Sequence, residues 1–369
     1  MAGLFISIMM MMISLSSGSS ASKALGVYEV KRGNFSAKFT NWGATLISLL
    51  VPDRYGMSYS YPTRAEHSVI GFRRNMADVA LGYQSVYEYT NDTSYFGSIV
   101  GRVANRIGGA QFTIDGIHYK LKPNEKNNML HGGVIGFSDV LWKVTKHESD
   151  RISFSYHSCD GEEGFPGDLE VSVSYAIVAP YVLSIRMRAK SLNKATPVNL
   201  AQHTYWNIGG HNSGDVLSDV IQIYGSQYTP TDDNLIPTGK LVSVKGTPYD
   251  FLEPQTIGSR IAQLLPLRGY DMNYVLDGGK KMKLAARVYN EKSGRVMELS
   301  TNVPGLQFYT ANYVQNVTGK GGFVYQPHSA LCLESQGFPD SVNHPNFPSQ
   351  IVRPGKTYKH NMVFTFSTR

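Results

Sequence analysis

From Leu25 onward, apolar and polar residues alternate with a period of two, and turns rich in Gly, Pro, Asn or Asp break the alternation about every eight to twelve residues. Ile152, Phe154 and Tyr156 alternate with polar residues, as do Leu169, Val171, Val173 and Tyr175, and then Leu183, Ile185 and Met187. Successive side chains of a strand point to opposite faces, so each run is predicted to bury one face. Residues 112–121 read as a hairpin around Asp115 and Gly116, a pair that accepts the positive φ angles of a tight primed turn. Residues 282–299 read as a second hairpin that turns at Lys292, Ser293 and Gly294. Only residues 257–265 look helical, with the Ser259 region as the cap. Many strands and almost no helix predict an all-β fold, a large antiparallel β-sandwich. No repeat of fixed period is visible, so a propeller is not expected.

Composition adds limits to this picture. The chain has 369 residues, 42% of them hydrophobic and 17% charged, which supplies a core and leaves no disordered charged block. β-Sandwiches often exceed the average domain size, so residues 23–369 are expected to form one domain. The net charge is +7, but Lys and Arg are scattered and not interleaved with aromatic residues. Nucleic acid is therefore not an expected partner, and the charge fits solubility or an acidic matrix. Cys159 and Cys332 are too few for a disulfide framework or a zinc site of the usual spacing. Both lie in strand-like runs and are expected to be buried free thiols. Residues 4–15 are apolar apart from Ser7 and Ser14, and small residues follow, as in a signal peptide over residues 1–22. The run is too short to span a bilayer, so secretion without a membrane anchor in the mature form is expected. A cytoplasmic location is the alternative, because no Lys or Arg precedes the apolar run.

Two segments hold the candidate acid–base chemistry. His203 stands among Asn199, Gln202, Tyr205, Trp206 and Asn207, and Glu334 ends an apolar strand at Leu331 and Leu333 before a loop with Pro339 and Asp340. An imidazole and a carboxylate can move protons in both directions. Loops add Asn105 and Arg106 between glycines, His131 before Gly132 and Gly133, Asp271 beside Tyr270, and Gln307 beside Phe308. Taken singly, each fits a turn or a satisfied structural residue. As a set, planar polar groups backed by aromatic rings suit a sugar, whose hydroxyls take bidentate partners and whose C–H faces stack on rings.

These segments resemble the aldose 1-epimerase (galactose mutarotase) family over nearly the whole chain. The likeness rests on the run from Gly101 to Gly108, Leu130 to Gly133 with Gly136, Phe137, Leu141 and Trp142, Asn199 to Asn207, and Leu331 to Asp340 with Asn343, Pro345, Arg353 and Gly355. The resemblance implies a galactose mutarotase-like β-sandwich that binds a monosaccharide on a concave face, with no metal and no organic cofactor, and the protein is expected to be a monomer. It implies His203 as general acid and Glu334 as general base, the two exchanging roles when the ring recloses. It further implies Asn105, Arg106, His131, Asp271 and Gln307 as hydroxyl-binding residues, with Tyr205 also in contact with the sugar. Both catalytic pKa values are then expected near the working pH, with His203 protonated in the reactive state. Two departures stand out. Met272 occupies a position where the family often has His, and residues 57–75 form an insertion that is expected to be a tolerated surface loop, a lid being the opposing reading. Two other function classes stay open: a sugar-binding protein with little turnover, and an epimerase of another cyclic hemiacetal or of a sugar phosphate. For a phosphate, only Arg73 and Arg74 could add the required charge.

Overall fold

In a computed structural model that describes residues 24–55, 75–264 and 269–369, three antiparallel sheets carry most of the strands. The largest has nine, in the order Lys143–Glu148, Arg151–Ser158, Leu169–Ala179, Val182–Ser191, Thr357–Thr368, Arg295–Thr301, Lys283–Tyr289, Val220–Ile223 and Gln255–Thr256. A six-stranded sheet runs Tyr205–Trp206, Leu331–Gln336, Gly305–Tyr309, Asp271–Val275, Gln227–Tyr228 and Val242–Ser243. Val27–Arg32, Phe35–Thr40, Thr45–Pro52 and Met76–Asp78 make a four-stranded sheet.

The alternation places one face of each sheet in a shared core. Ile185 and Met187 of the large sheet, Leu306, Phe308, Leu331 and Leu333 of the six-stranded sheet, and Phe39 and Leu46 of the four-stranded sheet belong to one buried cluster. Trp206 packs on Phe364 with ring centroids 4.9 Å apart, and Tyr175 packs on Phe39 at 4.4 Å while its hydroxyl donates to the Ala44 carbonyl at 2.8 Å. Apolar burial between sheets therefore holds the layers, and it leaves the opposite face of the six-stranded sheet for other chemistry.

Both expected hairpins form. Gln111–Ile114 pairs with Ile117–Lys120 through Asp115 and Gly116 at φ +52° and +79°, and Gly294 turns the second at φ +71°. The expected helix at residues 257–265 does not form, and two 3-10 turns, Ile257–Ser259 and Ile261–Gln263, replace it in the described part. The amides of Ile257 and Gly258 donate sideways to the Asp219 and Leu217 carbonyls, and Ser259 Oγ donates back to Thr256 instead of capping. Both cysteines are free, but only Cys332 is buried. Cys159 is exposed because it lies one position past the strand end at Ser158, out of phase with the buried Ile152, Phe154 and Ser158.

The expected leader and almost all of the expected insertion lie outside the described residues, but the insertion's junction does not. Pro52 pairs with Met76, the Asp53 amide donates to the Asn75 carbonyl at 3.1 Å, and Arg295 Nη2 donates to the same oxygen at 3.2 Å. The chain thus leaves and re-enters at adjacent positions, and Asn75 is part of the closure. Excision of residues 57–74 that keeps Asn75 should give a soluble protein with an equal or slightly higher melting temperature and unchanged turnover, since a shorter loop costs less closure entropy. Thermal melts and activity assays of the excised and full chains check this. A folded but inactive variant would instead establish the segment as a lid.

Candidate active site

The period of two that buries Leu331 and Leu333 turns Cys332 and Glu334 to the other face of the six-stranded sheet. Gln307 is the direct cross-strand partner of Glu334, and Tyr309 and Tyr205 are both partners of Cys332. On the next strand, Asp271 lies opposite Tyr309, and its Oδ1 accepts from Gln307 Nε2 at 2.6 Å. All eight residues singled out from the sequence, Asn105, Arg106, His131, His203, Tyr205, Asp271, Gln307 and Glu334, line one cavity of about 220 Å³. That is smaller than the about 300–1,000 Å³ typical of drug-sized ligands and suits one small polar ring.

His203 Nε2 lies 3.5 Å from Glu334 Oε1, and both side chains are almost fully buried. Tyr205 stacks on the His203 ring at 5.2 Å, and Cys332 Sγ lies 3.8 Å from its Nδ1. Asn105 and His131 both hold left-handed backbone, at φ +60° and +50°, and they fix each other. The His131 amide donates to the Asn105 carbonyl at 3.0 Å, while the Asn105 amide donates to His131 Nδ1 at 3.2 Å. Because Nδ1 accepts, the neutral ring carries its proton on Nε2. Donor atoms of His131, His203 and Glu334 lie within 4.8 Å of one another, close enough for a metal ion, but that tautomer aims an N–H from His131 where an ion needs a lone pair.

Known proteins resemble this chain over most of its length. The sequence profile of the family described as aldose 1-epimerase matches residues 68–365. Rat galactose mutarotase is 39% identical over 345 residues, 93% of this chain and 94% of that one. The aldose 1-epimerase of Escherichia coli K12 is 32% identical over 332 residues, 88% of this chain and 90% of that one. Among solved structures, the GalM/aldose epimerase homologue from C. elegans superposes with a TM-score of 0.84 at 28% identity, covering 94% of this chain and 99% of that one. The chain belongs to the aldose 1-epimerase family. The activity of this epimerase is anomer interconversion.

Burial dominates the electrostatics of the epimerase pocket. It pushes the His203 pKa down to about 4, against the pull of the residue's own carbonyl. It pushes Glu334 well above the carboxylate range, aided by the charge of Asp271 and opposed by Arg106. His131 is driven well down by burial, then by His203 and Arg106. The expectation of a protonated imidazole therefore does not hold for the empty pocket. Desolvation favours the uncharged pair, a neutral imidazole beside a protonated carboxyl. The expected form, with a charged imidazole and carboxylate, is the tautomer of this state across the same 3.5 Å contact.

Sequence reasoning missed two pocket residues of consequence. Tyr95, at φ +61°, packs against the rings of His131 and His203 at 4.8 and 5.8 Å. Glu125 grips Arg106 in a fork, accepting from Nε at 2.6 Å and from Nη2 at 2.7 Å. Burial works against the Arg106 charge, but the hydrogen bonds it donates to Glu125 and the charge of Asp271 outweigh it and raise the pKa. Glu125 sits in a run of Lys and Asn that reads as a solvated loop, and only the long-range pairing reveals it. Met272, the family departure, is buried in the core and takes no part in the pocket. Glu125→Gln should raise KM by roughly three- to tenfold and change kcat by less than about twofold, because a loosened guanidinium loses uniform binding. Steady-state kinetics check the split, and a fall confined to kcat would remove the positioning role.

Proposed function

We propose that the protein interconverts the α and β anomers of free hexoses, galactose and glucose among them, with Glu334 as general base and His203 as general acid. The observation that carries this reading is a buried acid–base pair at the floor of a ring-sized polar cavity. Glu334 Oε2 and Gln307 Oε1 there are buried acceptors without a hydrogen-bond partner among the described residues. Buried polar groups in native proteins are nearly always satisfied, and sugar hydroxyls are donors of the right kind.

Hydroxyls that donate to the Glu334 carboxyl favour its ionised form, and the Arg106 charge acts in the same direction. The proton then passes to His203 Nε2. Glu334 takes the proton of the anomeric hydroxyl as His203 gives its own to the ring oxygen, and the bond between the anomeric carbon and the ring oxygen breaks. Rotation of the open aldehyde about the adjacent C–C bond and reclosure with the roles reversed give the other anomer. Both half-reactions begin and end with one proton on the pair. Arg106, held by Glu125, together with Asn105, His131, Asp271 and Gln307, would fix the remaining hydroxyls so that only the anomeric centre reacts. Relatives named galactose mutarotase support galactose as substrate.

Polarimetry with freshly dissolved α-galactose and α-glucose tests the activity. His203→Ala and Glu334→Gln should each lower turnover about a hundredfold or more while the fold survives. Near wild-type rates in either variant would remove the assignment. A wild-type chain that binds galactose without speeding mutarotation would establish a binding protein instead. The pH profile carries a second expectation. Below the His203 pKa of about 4 the pair gains a second proton and the base is lost, so kcat/KM should fall only near that pH and stay level through pH 6.5. A loss of kcat/KM centred near pH 6.5 would contradict it.

A further inference from the structure

Away from the sugar pocket, the strands Arg151–Ser158 and Leu169–Ala179 are paired along their length and joined by residues 159–168. Three side chains of different donor type meet at the mouth of this loop. One ligand atom each from His157, Cys159 and Asp168 lies within 4.8 Å of the others, and His157 Nε2 is 3.6 Å from Asp168 Oδ1. Zinc bonds of about 2.0–2.3 Å in a tetrahedron set neighbouring ligand atoms about 3.3–3.8 Å apart, so the imidazole–carboxylate edge already has the required length.

Exposed carboxylates often gather without binding an ion, but this group differs in two respects. Its donors are nitrogen, sulfur and oxygen, a set that suits a borderline-soft cation and not calcium or magnesium. The carboxylate is also already oriented, since Asp168 Oδ1 accepts from the Asp160 amide at 3.0 Å and Oδ2 from Asn193 Nδ2 at 2.6 Å. Outer partners of this kind hold the ligands of metal sites in place. The loop backbone is braced as well, with the Gly167 amide donating to Asp160 Oδ1 at 2.6 Å and the Gly161 amide to the Phe165 carbonyl at 2.8 Å. A sequence with two distant cysteines does not suggest such a site, because its third ligand arrives through strand pairing.

We propose that His157 Nε2, Cys159 Sγ and Asp168 Oδ1 bind one thiophilic divalent cation of the zinc class, with solvent in the fourth position. The thiol gives its proton to solvent as the metal–sulfur bond forms, and no oxidation state changes. The site clamps structure and takes no part in turnover. The loop it closes holds the buried Arg102, whose guanidinium donates to the Pro166 and Gly167 carbonyls at 2.9 Å and to the Cys159 carbonyl at 3.2 Å. The same loop braces the segment after His131, where the Val134 amide donates to Glu163 Oε2 at 3.1 Å. An ion at the loop mouth therefore stabilises the wall behind the pocket.

The test is titration of the metal-depleted full chain with Zn²⁺ against a chromogenic chelator, and with Co²⁺ to read thiolate-to-cobalt charge transfer. One equivalent should bind, the charge-transfer band should appear, the melting temperature should rise, and the mutarotation rate should not change. Cys159→Ser should abolish the band and weaken Zn²⁺ binding by about a hundredfold or more, and His157→Ala by about tenfold or more. Both positions are exposed, so these variants should fold and keep the basal melting temperature without metal. Absence of the band in the wild type, or equal Zn²⁺ affinity in Cys159→Ser, would overturn the proposal. Activity is read separately from metal binding, so failure of one reading does not disguise failure of the other.

Discussion

The strand Leu331–Gln336 must serve two environments at once, and the remainder of the site depends on how it does so. Leu331 and Leu333 pack into the core shared by the three sheets, Ser335 Oγ lies 2.8 Å from His360 Nε2 of the large sheet, and Glu334 on the opposite face lines the cavity. A slip of one residue would put a carboxylate into the apolar core and a leucine into the pocket. Core packing thus fixes the position of the Glu334 carboxylate. Neighbouring strands, locked to this one by cross-strand pairing, bring Gln307, Asp271 and Tyr205 into register with it.

Burial that secures this geometry also sets the chemistry. Within the pocket, desolvation is the first influence on His203, Glu334, His131 and Asp271, and in each case it favours the uncharged form. Moving the proton from Glu334 to His203 runs against this desolvation, so bound hydroxyls and the Arg106 charge must offset it. Arg106 opposes the upward shift of Glu334, and Glu125 holds its guanidinium in one orientation.

Much of this was legible in the sequence, for reasons that can be named. Alternation over residues 169–175 and 183–187 reports the core face directly, and Asp115 with Gly116 reports a turn, because both signals are local. Asn105, Arg106, His131, Asp271 and Gln307 stood out because a polar group between glycines or beside rings differs from what a plain turn needs, His203 and Glu334 stood out as an imidazole and a carboxylate, and Tyr205 came only through the family resemblance. What stayed hidden depends on distant partners. Glu125 acquires its role from Arg106, the His131 tautomer from the Asn105 amide, and the proton's place from burial by four separate segments. Cys159 is out of phase with the buried Ile152, Phe154 and Ser158 and so points outward, and in the described part of residues 257–265 two 3-10 turns stand where a helix was expected. The group of His157, Cys159 and Asp168 is likewise invisible until two strands are laid side by side.

The claim on which the account turns is that the empty pocket keeps His203 neutral, with the shared proton on Glu334. Nitrogen-15 NMR of histidine-labelled protein, with His203 assigned by its loss in His203→Ala and titrated without sugar, measures this directly. The account predicts a neutral ring throughout the neutral range that takes up a proton only near pH 4. A His203 ring already protonated at pH 6 to 7 would contradict it.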